Sequence, residues 1–561
     1  MTPTALTESR AEVGQAPPKR EVEALAKRVL IVGLDGATFD VLGPLMDEGY
    51  MPNLRRICSQ GTSGILNSTR PPITPAAWTT FMTGKGPGRH GIVDFEKYDA
   101  RNNTLQFNST FEIREKTIWE ILSEKGFRVG SVNLPMTYPP KKVNGFLISG
   151  FETPSTDVEF TWPPELKNEI LNNWPDYTFG TSWKRKAFGG NEIFARNLDF
   201  ISHSFRQGFE LATFCGRRYG WDVMMVLFKL VDNLQHKAWK YLDPATRHVN
   251  HRRAEMSARC FTELDKVLGR LVEYARENEA TVLMMSDHGH GSLDGKAQPN
   301  LLLSQWGYLQ LKSPLVRAQT RGAYIYHRMT RKESGRFHIQ NGFERELAVD
   351  WTRTRACVMH AGIYGFLYIN LKGRQPQGVV DPADYEQLRD EIRQRMLKAE
   401  SRDRKGRLMR IFPDIYKPEE LYNCKREENT SMPDLLLVPA PGLAVVRKIR
   451  GASPLRWCSR SRLEGTHRVE GVVVGYGPYV RKGHKITADI VDITPTLLAM
   501  LGLRVPIDME GKVMVDMFEK PPVIEREPPR IKGAEGPEEE VYTEAEREAL
   551  TKRLADLGYL E

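Results

Sequence analysis

The sequence predicts an α/β fold in which helices flank a large, mostly parallel central sheet and further segments are inserted as caps. The first indication is a pair of apolar runs, Arg28–Leu34 and Thr281–Met285, that show no polar alternation. Such continuous runs are typical of strands that a parallel sheet buries on both faces. The second indication is the alternation of helical and strand patterns along 561 residues, a length that suits one very large domain with insertions.

The composition is that of an ordinary globular protein, with 40% hydrophobic and 27% charged residues. No segment approaches the ~20 consecutive apolar residues of a membrane-spanning helix, and the polar first residues contain no apolar core of a secretory signal. The six cysteines lack CxxC spacing, which argues against a disulfide framework or a thiolate metal site. We therefore expect a cytoplasmic protein with no membrane association. The net charge of +9 suits an anionic small-molecule substrate, but it is diffuse and indicates no nucleic-acid partner; the oligomeric state is left open.

The first half of the chain predicts a series of alternating elements. Residues 1–27 have the polar composition of a flexible tail, and the main domain is expected at 28–515. The predicted helices are Phe39–Gln60, Ile118–Lys125 and His251–Glu277, and the predicted strands are Ser63–Asn67, Arg128–Asn133 and Gly145–Ser149. The long helix His251–Glu277 has apolar residues at helical spacing, which marks it as a core element.

Two segments interrupt this alternation and are predicted to be caps over the sheet. Residues 151–220 are rich in aromatic residues and glycine. Residues 312–350 include a strongly basic stretch, 312–345, which is either a solvated face or a surface that steers anions. Residues 516–561 are predicted to be a linker and a C-terminal helix that begins with the capping box Thr543–Glu546 and docks on the body.

The stretch Arg70–Ile92 contains the candidate nucleophile, Thr74. Thr74 is followed by Pro75 and a run of helix-forming residues, the pattern of a helix N-cap with proline at the first helical position. A hydroxyl at this place lies at the positive end of the helix dipole, beside backbone N–H groups without a partner inside the helix. Such a place favours an anion. Taken alone, the pattern also fits an ordinary capping threonine.

Acidic and imidazole side chains follow the predicted core strands. Asp35 comes directly after the first strand, and Asp287 and His288 come after Thr281–Met285. Open α/β sheets bind their ligands at the carboxyl ends of the strands. A charged Asp–His pair after a buried strand needs a partner, whereas His290 is expected to lie in a turn or to support a metal ligand from behind.

Two further segments supply candidates for the same site. Asp232 and His236 are four residues apart, so on a helix both side chains project from one face and can converge on a cation. His467 is predicted to lie in a loop directly before the strand Gly471–Gly475. Each of these features alone is also compatible with a capping aspartate or a surface histidine.

Together these residues form a ligand set for two divalent cations, because they offer carboxylate oxygens and imidazole nitrogens and no thiolates. We expect Zn²⁺, with Mn²⁺ as the alternative. Two cations about 3.5–4 Å apart suit an in-line displacement at phosphorus, since they stabilise the attacking and departing oxygens. The candidate site residues are Asp35, Thr74, Asp232, His236, Asp287, His288 and His467.

The motifs that carry these residues resemble, in order, those of the alkaline phosphatase superfamily, in its type I phosphodiesterase/nucleotide pyrophosphatase branch. They are GLDG, PPITPAAWTTFMTGKGPGRHGI, DNLQH, SDHGHG and GTH, and they span about 28–505. The resemblance implies an alkaline phosphatase-like fold and a metal-dependent phosphoester hydrolase. It also implies that Thr74 forms a covalent phosphoryl- or phosphonyl-enzyme intermediate that is then hydrolysed.

The same resemblance implies how the ligands divide between the two cations. One cation would be held by Asp35, Asp287 and His288, with Thr74 nearby. The other would be held by Asp232, His236 and His467.

One position departs from the family pattern. Nucleotide-cleaving members carry an asparagine shortly after the HGI motif, where this chain has Asp94 and Phe95. A carboxylate near phosphate disfavours a highly charged substrate, so nucleotide specificity is open, and phosphodiesterase activity is the expectation. The alternatives are a two-metal phosphomutase or phosphate monoesterase of the same superfamily, or a non-catalytic phosphate-binding protein. The nucleophile region contains no Cys- or Ser-x-Pro-x-Arg element, which argues against a sulfatase.

Overall fold

The computed structural model describes residues 18–179, 190–313, 348–422, 424, 432–460, 463–530, 532 and 541–557, and every structural statement refers to these residues. Most of the predicted tail 1–27 and most of the basic stretch 312–345 lie outside these residues. The structure therefore does not test those two predictions. No helix in the described ranges combines the length and the apolar character needed to cross a bilayer.

The strands and helices follow one another along the whole described chain. The strands are β1 (Arg28–Gly33), β2 (Thr62–Asn67), β3 (Glu96–Asp99), β4 (Thr104–Phe107), β5 (Val129–Leu134), β6 (Gly145–Ser149), β7 (Thr161–Trp162), β8 (Val223–Leu227), β9 (Ala280–Met285), β10 (Gly289–Leu293), β11 (Gly295–Ala297), β12 (Ala356–Ala361), β13 (Gly365–Ile369), β14 (Glu400–Arg402), β15 (Leu408–Arg410), β16 (Asp414–Tyr416), β17 (Leu435–Val438), β18 (Leu443–Val445), β19 (Leu455–Trp457), β20 (Glu464–Arg468), β21 (Glu470–Tyr476), β22 (His484–Asp489), β23 (Val505–Pro506) and β24 (Arg526–Glu527). The helices are α1 (Phe39–Asp47), α2 (Pro52–Ser59), α3 (Thr74–Thr83), α4 (Pro87–His90), α5 (Ile118–Glu124), α6 (Leu166–Asn173), α7 (Asn191–Tyr219), α8 (Leu230–Leu242), α9 (His251–Glu277), α10 (Pro299–Gln305), α11 (Tyr385–Leu397), α12 (Pro418–Tyr422), α13 (Ile493–Met500) and α14 (Glu544–Leu557).

The central sheet contains nine strands in the order β22–β2–β21–β9–β1–β8–β5–β6–β7. Strands β9, β1, β8, β5 and β6 form a parallel block, and β2 is parallel to β22. Strand β21 is antiparallel to both of its neighbours, and β7 is antiparallel to β6. The predicted fold class, a mostly parallel sheet flanked by helices, is confirmed.

Strand β1 is buried on both faces of this sheet. Leu30 and Val32 belong to the hydrophobic cluster formed with α1, α2, α7, α8 and α9. Val29 and Ile31 point to the opposite face and belong to the cluster formed with α3, α5 and α13. Because successive side chains of a strand alternate between faces, a strand covered on both sides must be apolar throughout, which explains the continuous run in the sequence.

The helix expected over Phe39–Gln60 is two helices, α1 and α2. The chain turns between them at Gly49, which has φ +83°, and Pro52 then begins α2. Glycine accommodates this left-handed conformation, and proline favours the first turn of a helix, so both residues promote the break. The helix His251–Glu277 and the strand Gly145–Ser149 have the predicted bounds.

The region of the predicted cap 151–220 contains α6 and the long helix α7, apart from 180–189, which lie outside the described residues. Helix α7 packs against α9 and against strands β5 and β8. A separate antiparallel sheet, in the order β12–β13–β17–β16, has its own hydrophobic cluster, to which Leu367, Ile392 and Leu436 belong. The molecule therefore has a second layer with its own core beside the central sheet.

Helix α14 docks on the body through two leucines. Leu550 and Leu554 are 1% and 0% exposed and pack in a cluster with Phe95, Tyr138, Phe151 and Tyr542. The capping box is formed, since the Thr543 backbone N–H donates to Oε2 of Glu546 at 2.8 Å and the Glu546 N–H donates to Oγ1 of Thr543 at 3.3 Å.

Candidate metal centre and active site

The predicted site residues meet at the carboxyl-terminal edge of the central sheet. Asp35 follows β1 and Asp287 follows β9, the parallel neighbour of β1, so both carboxylates emerge at the same edge. Helix α8 follows β8, the other neighbour of β1, and carries Asp232 and His236 in its first two turns. All seven predicted side chains are buried.

Asp35, Asp287 and His288 form the first group that could hold a cation. Nε2 of His288 lies 3.3 Å from Oδ2 of Asp287 and 3.8 Å from Oδ1 of Asp35. The other oxygen of Asp287, Oδ1, accepts the Gly36 backbone N–H at 2.9 Å, which fixes the orientation of the carboxylate.

Thr74 adjoins this first group. Its Oγ1 lies 3.4 Å from Nε2 of His288, and the side chain is fully buried. Helix α3 begins at Thr74 with Ile73 as its N-cap, so Thr74 is the first helical residue rather than the predicted N-cap, and Pro75 follows it in the first turn. The hydroxyl nevertheless lies at the positive end of the helix dipole, as expected.

Asp232, His236, His290 and His467 form the second group. Oδ1 of Asp232 lies 3.3 Å from Nε2 of His236, 3.3 Å from Nε2 of His290 and 3.4 Å from Nε2 of His467. Nε2 of His236 and Nε2 of His467 are 2.9 Å apart. A tetrahedral zinc site with bonds of about 2.0–2.1 Å has its ligand atoms about 3.3 Å apart. These four distances are close to that value, and all the donor atoms lie within 4.8 Å of one another, so the group could hold one cation.

The four histidines of the two groups share one arrangement of hydrogen bonds. Each donates through Nδ1 to a backbone carbonyl: His236 to Gly465, His288 to Gly289, His290 to Gly36 and His467 to Pro72, at distances of 2.9, 3.1, 3.0 and 2.9 Å. These bonds assign the proton to Nδ1, which leaves the Nε2 lone pair directed into the site. This is the tautomer that coordinates a metal ion through Nε2.

His290 is the ligand that the sequence analysis did not include in the site. It lies on β10 directly opposite His467 on β20, so antiparallel pairing brings the two imidazoles together. His467 accordingly lies on a strand and not in the predicted loop. The sequence feature that could have identified His290 is its two-residue spacing from His288. This spacing places both side chains on the same side of an extended chain.

The second glycine of the GLDG motif allows this close packing. Gly36 has φ +67°, and a Cβ atom there would lie 2.7 Å from the His290 ring and 3.0 Å from Oδ1 of Asp232. A side chain at this position would therefore displace two atoms of the second group, in addition to the backbone strain.

The electrostatics of the centre require positive charge. Burial, together with the charges of Asp287 and Asp232, raises the pKa of Asp35 well above its usual range. Burial also lowers the pKa of His288 and His290 well below that of free imidazole, so both are neutral at neutral pH. Neutral imidazoles are in the protonation state that binds a metal ion. The carboxylates raise one another's pKa because their negative charges repel, and a bound cation would remove that repulsion.

Within the part of the chain that the structure describes, several buried polar atoms of the centre have no hydrogen-bond partner. They are both carboxylate oxygens of Asp35, Oδ2 of Asp287 and Nε2 of His290. Buried polar atoms without partners are costly, and cations bound by the two groups would satisfy all of them. The residues present therefore fit two metal ions.

His90 of the HGI motif is also buried, and so is Asp94, the residue that departs from the family pattern. Nε2 of His90 bonds Oγ1 of Thr80 at 2.9 Å, and Nδ1 accepts the Ile92 N–H at 3.1 Å, so His90 supports the end of α3. Burial raises the pKa of Asp94 well above its usual range, which favours its neutral form. The extra negative charge expected at this position is thereby reduced.

Comparison with known proteins identifies the family of this chain. The family model for type I phosphodiesterase/nucleotide pyrophosphatase matches residues 29–470. Comparison with curated protein sequences gives no match.

Among solved structures, phosphonoacetate hydrolase from Sinorhizobium meliloti 1021 in complex with phosphonoformate is similar with a TM-score of 0.52 at 15% identity, covering 86% of this chain and 98% of that one. Human ectonucleotide pyrophosphatase/phosphodiesterase 5 gives a TM-score of 0.49 at 14% identity, covering 88% and 100%. The family match confirms the resemblance in the motifs: this chain belongs to the type I phosphodiesterase/nucleotide pyrophosphatase family of the alkaline phosphatase superfamily and is a hydrolase of phosphoester bonds.

Proposed function

We propose that this protein is a metal-dependent phosphodiesterase that forms a covalent phosphothreonine intermediate on Thr74 at a two-metal site. The observation that carries the proposal is the position of Thr74 at the start of α3, with Oγ1 only 3.4 Å from Nε2 of His288. The hydroxyl thus lies beside one cation group, and the rings of His288 and His467 stack at 3.6 Å between their centroids, so the second group is adjacent.

The two groups differ in their donor atoms. The first is rich in oxygen and would bind Zn²⁺ or Mn²⁺, whereas the second, with three imidazoles and one carboxylate, favours Zn²⁺. When bound, the cations would lower the pKa of the threonine hydroxyl and neutralise negative charge on the phosphoryl group.

The chain itself supplies the nucleophile and the orientation. In the first half-reaction a bond forms between Oγ1 of Thr74 and phosphorus as the bond from phosphorus to the leaving oxygen breaks, and the hydroxyl proton passes to that leaving oxygen. The first turn of α3 provides backbone N–H groups and a favourable dipole for the phosphoryl oxygens. In the second half-reaction water attacks phosphorus, the bond to Oγ1 breaks, and Thr74 regains its proton.

The substrate class follows from the family, whose members act on small anionic phosphoesters. We propose a diester as the preferred substrate and the cytoplasm as the location, and the six free cysteines support a reducing compartment.

Substitution of the nucleophile tests the proposal. We expect Thr74→Ala to lower turnover by at least about 10³-fold, because no other hydroxyl replaces the attacking oxygen, while the metal content stays near that of the wild type. Thr74→Ser should retain part of the activity. The measurements are the metal content and the rates on a matched aryl phosphate monoester, diester and phosphonate, with acid quenching to trap phosphothreonine.

Each alternative has its own signature in this experiment. Full activity of Thr74→Ala would show that the nucleophile is wrong. Faster cleavage of the monoester would identify a monoesterase, and transfer of phosphate to an acceptor in place of water would identify a phosphomutase. Metal and phosphate binding without turnover of any ester would identify a binding protein.

A further inference from the structure

Lys229 is a buried lysine beside the metal centre. It directly precedes α8, three residues before Asp232, and is 9% exposed. Its Nζ is shielded from solvent and has no hydrogen-bond partner among the described residues; it lies 3.8 Å from the centroid of the Phe151 ring. A buried amino group without an acceptor is costly, and an anionic ligand would both offer an acceptor and favour the protonated form of the amine.

Lys229 also lines a cavity of about 260 Å³ at the same edge of the sheet. The cavity lies where β5 and β8 end, and β8 neighbours β1, which leads to Asp35. Burial, followed by the charge of Arg553, lowers the pKa of Lys229 well below its usual range. The charges of Asp35 and Asp232 act in the opposite direction, which places the amino group close to the metal ligands as well as to the cavity. The cavity walls include Asn133, Phe151, Phe179, Gln207 and Phe228.

Among the described residues, the other charged groups near this cavity form ion pairs or hydrogen bonds, although Oε2 of Glu152 is buried without a partner. Asp176 and His203 pair at 2.7 Å, and their side chains are 62% and 48% exposed, which places them at the mouth. Glu152, whose charge acts on Lys229, accepts two backbone N–H groups through Oε1 at 2.8 and 3.1 Å. Arg553 of α14 donates to the carbonyl of Phe151 at 2.9 Å. Of the described residues that line the cavity, Lys229 is thus the lysine or arginine available to a ligand inside it.

We propose that Lys229 and this cavity form a subsite for a second anionic group of the substrate, a carboxylate or a phosphate carried on an aromatic or apolar substituent of the ester. A bound anion favours the protonated form of Lys229, which then supplies the counter-charge and a charge-assisted hydrogen bond, and the rings of Phe151 and Phe179 contact the apolar part. This subsite rests on the proposed function, since it adds a specificity determinant to the same active site.

Competitive inhibition of the metal-loaded, full-length protein tests the subsite. The probes are phenylphosphonate, 4-carboxyphenylphosphonate and benzene-1,4-bisphosphonate, with bis(4-nitrophenyl) phosphate as the reporter substrate. In the wild type we expect at least one doubly anionic probe to bind about tenfold or more tightly than phenylphosphonate. The carboxylate and phosphonate probes show which anion the subsite prefers.

Substitution of Lys229 should remove this preference. In Lys229→Met, and in Lys229→Gln as a second neutral variant, the ratio of the inhibition constants should fall to near one, whereas Lys229→Arg should keep part of it. The matched control is Lys142→Met, because Lys142 is an exposed lysine whose Nζ lies 5.8 Å from the Trp162 ring. This control should keep the wild-type ratio.

Two results would overturn the subsite: equal inhibition constants for the three probes in the wild type, or an unchanged ratio in both neutral variants. Failure of the proposed function is distinguishable, because it appears as absent turnover of the reporter. Calorimetric titration of the same probes into the wild type and the variants then still measures the preference.

Discussion

The imidazole of His290 gives the second cation group a fourth ligand atom. Its Nε2 lies 3.3 Å from Oδ1 of Asp232, and its Nδ1 is held by the carbonyl of Gly36. Structural zinc sites are closed by four protein ligands, whereas catalytic sites commonly keep a position open. We therefore expect the cation of the second group to be held more tightly than the cation of the first.

Removal of this imidazole should weaken one cation site and spare the other. We expect His290→Phe to lower the affinity for one of two cations by at least about 10- to 100-fold, because that is already the effect of removing a residue that only orients a metal ligand. The measurement is the metal content after dialysis against a graded series of chelator concentrations. His248→Phe, which changes an exposed histidine, is the control; a His290→Phe protein that retains both cations as the wild type does would contradict the assignment.

Glu152 makes the stability of the protein dependent on pH. Burial raises the pKa of this carboxyl from 4.5 to about 7, so folding favours its protonated form. The stabilisation is fully present below the unfolded pKa of 4.5 and is lost as the pH rises through 7.

Glu152→Gln should therefore flatten this dependence. A shift of this size corresponds to about 3 kcal/mol at most. Thermal unfolding at pH 5 and pH 8 measures it, and we expect the melting temperature of the wild type to fall more between the two values than that of the variant. Parallel pH profiles of the two proteins would refute the role of Glu152.

At the scale of single elements, α14 supports the loop beside the metal centre. Arg553 donates to the carbonyls of Phe151, Thr153 and Pro154, and Leu554 is fully buried. The C-terminal helix therefore fixes the segment that carries the aromatic ring facing Lys229.

Truncation of the buried leucine should release this helix. Leu554→Ala is expected to cost about 2–5 kcal/mol of docking free energy, the range for large-to-small substitutions in cores. Hydrogen exchange should then accelerate in α14 and in the loop at 151–154, whereas the exposed control Lys552→Ala should leave both unchanged. Unaltered exchange in Leu554→Ala would show that the helix is held by other contacts.

The sequence predicted the elements whose pattern is local. The strands leading to Asp35 and Asp287 are apolar throughout because they are buried on both faces, and Asp232 and His236 lie one helical turn apart as their spacing requires. The position of His467 on a strand was not predictable, because that strand pairs with β10, which is remote in sequence. The role of His290 depends on the same pairing and was missed for the same reason.

At the scale of the whole molecule, the cations would bind beside the central sheet and not at the second antiparallel sheet. The ligands belong to segments around the central sheet, whereas the second antiparallel sheet has a cluster of its own. A ligand whose free concentration is 1,000 times its Kd stabilises the folded state by about 4 kcal/mol. This stabilisation applies to the part of the protein that binds the ligand.

Chelation should therefore act unevenly on the molecule. We expect metal removal to lower the melting temperature and to accelerate hydrogen exchange at 286–291 and 464–468, because unshielded carboxylates then repel one another. Exchange in β12, β13 and β17 should stay close to that of the metal-loaded protein. A uniform acceleration, or none, would contradict a centre confined to the central sheet.

The pairing of His290 with His467 has a consequence for synthesis. A nascent chain that has left the ribosome only as far as the second layer already carries Asp35, Thr74, Asp287 and His288, yet it lacks the final imidazole and the strand that aligns it. Until β20 has been synthesised, the second cation group therefore lacks one of its four candidate ligands.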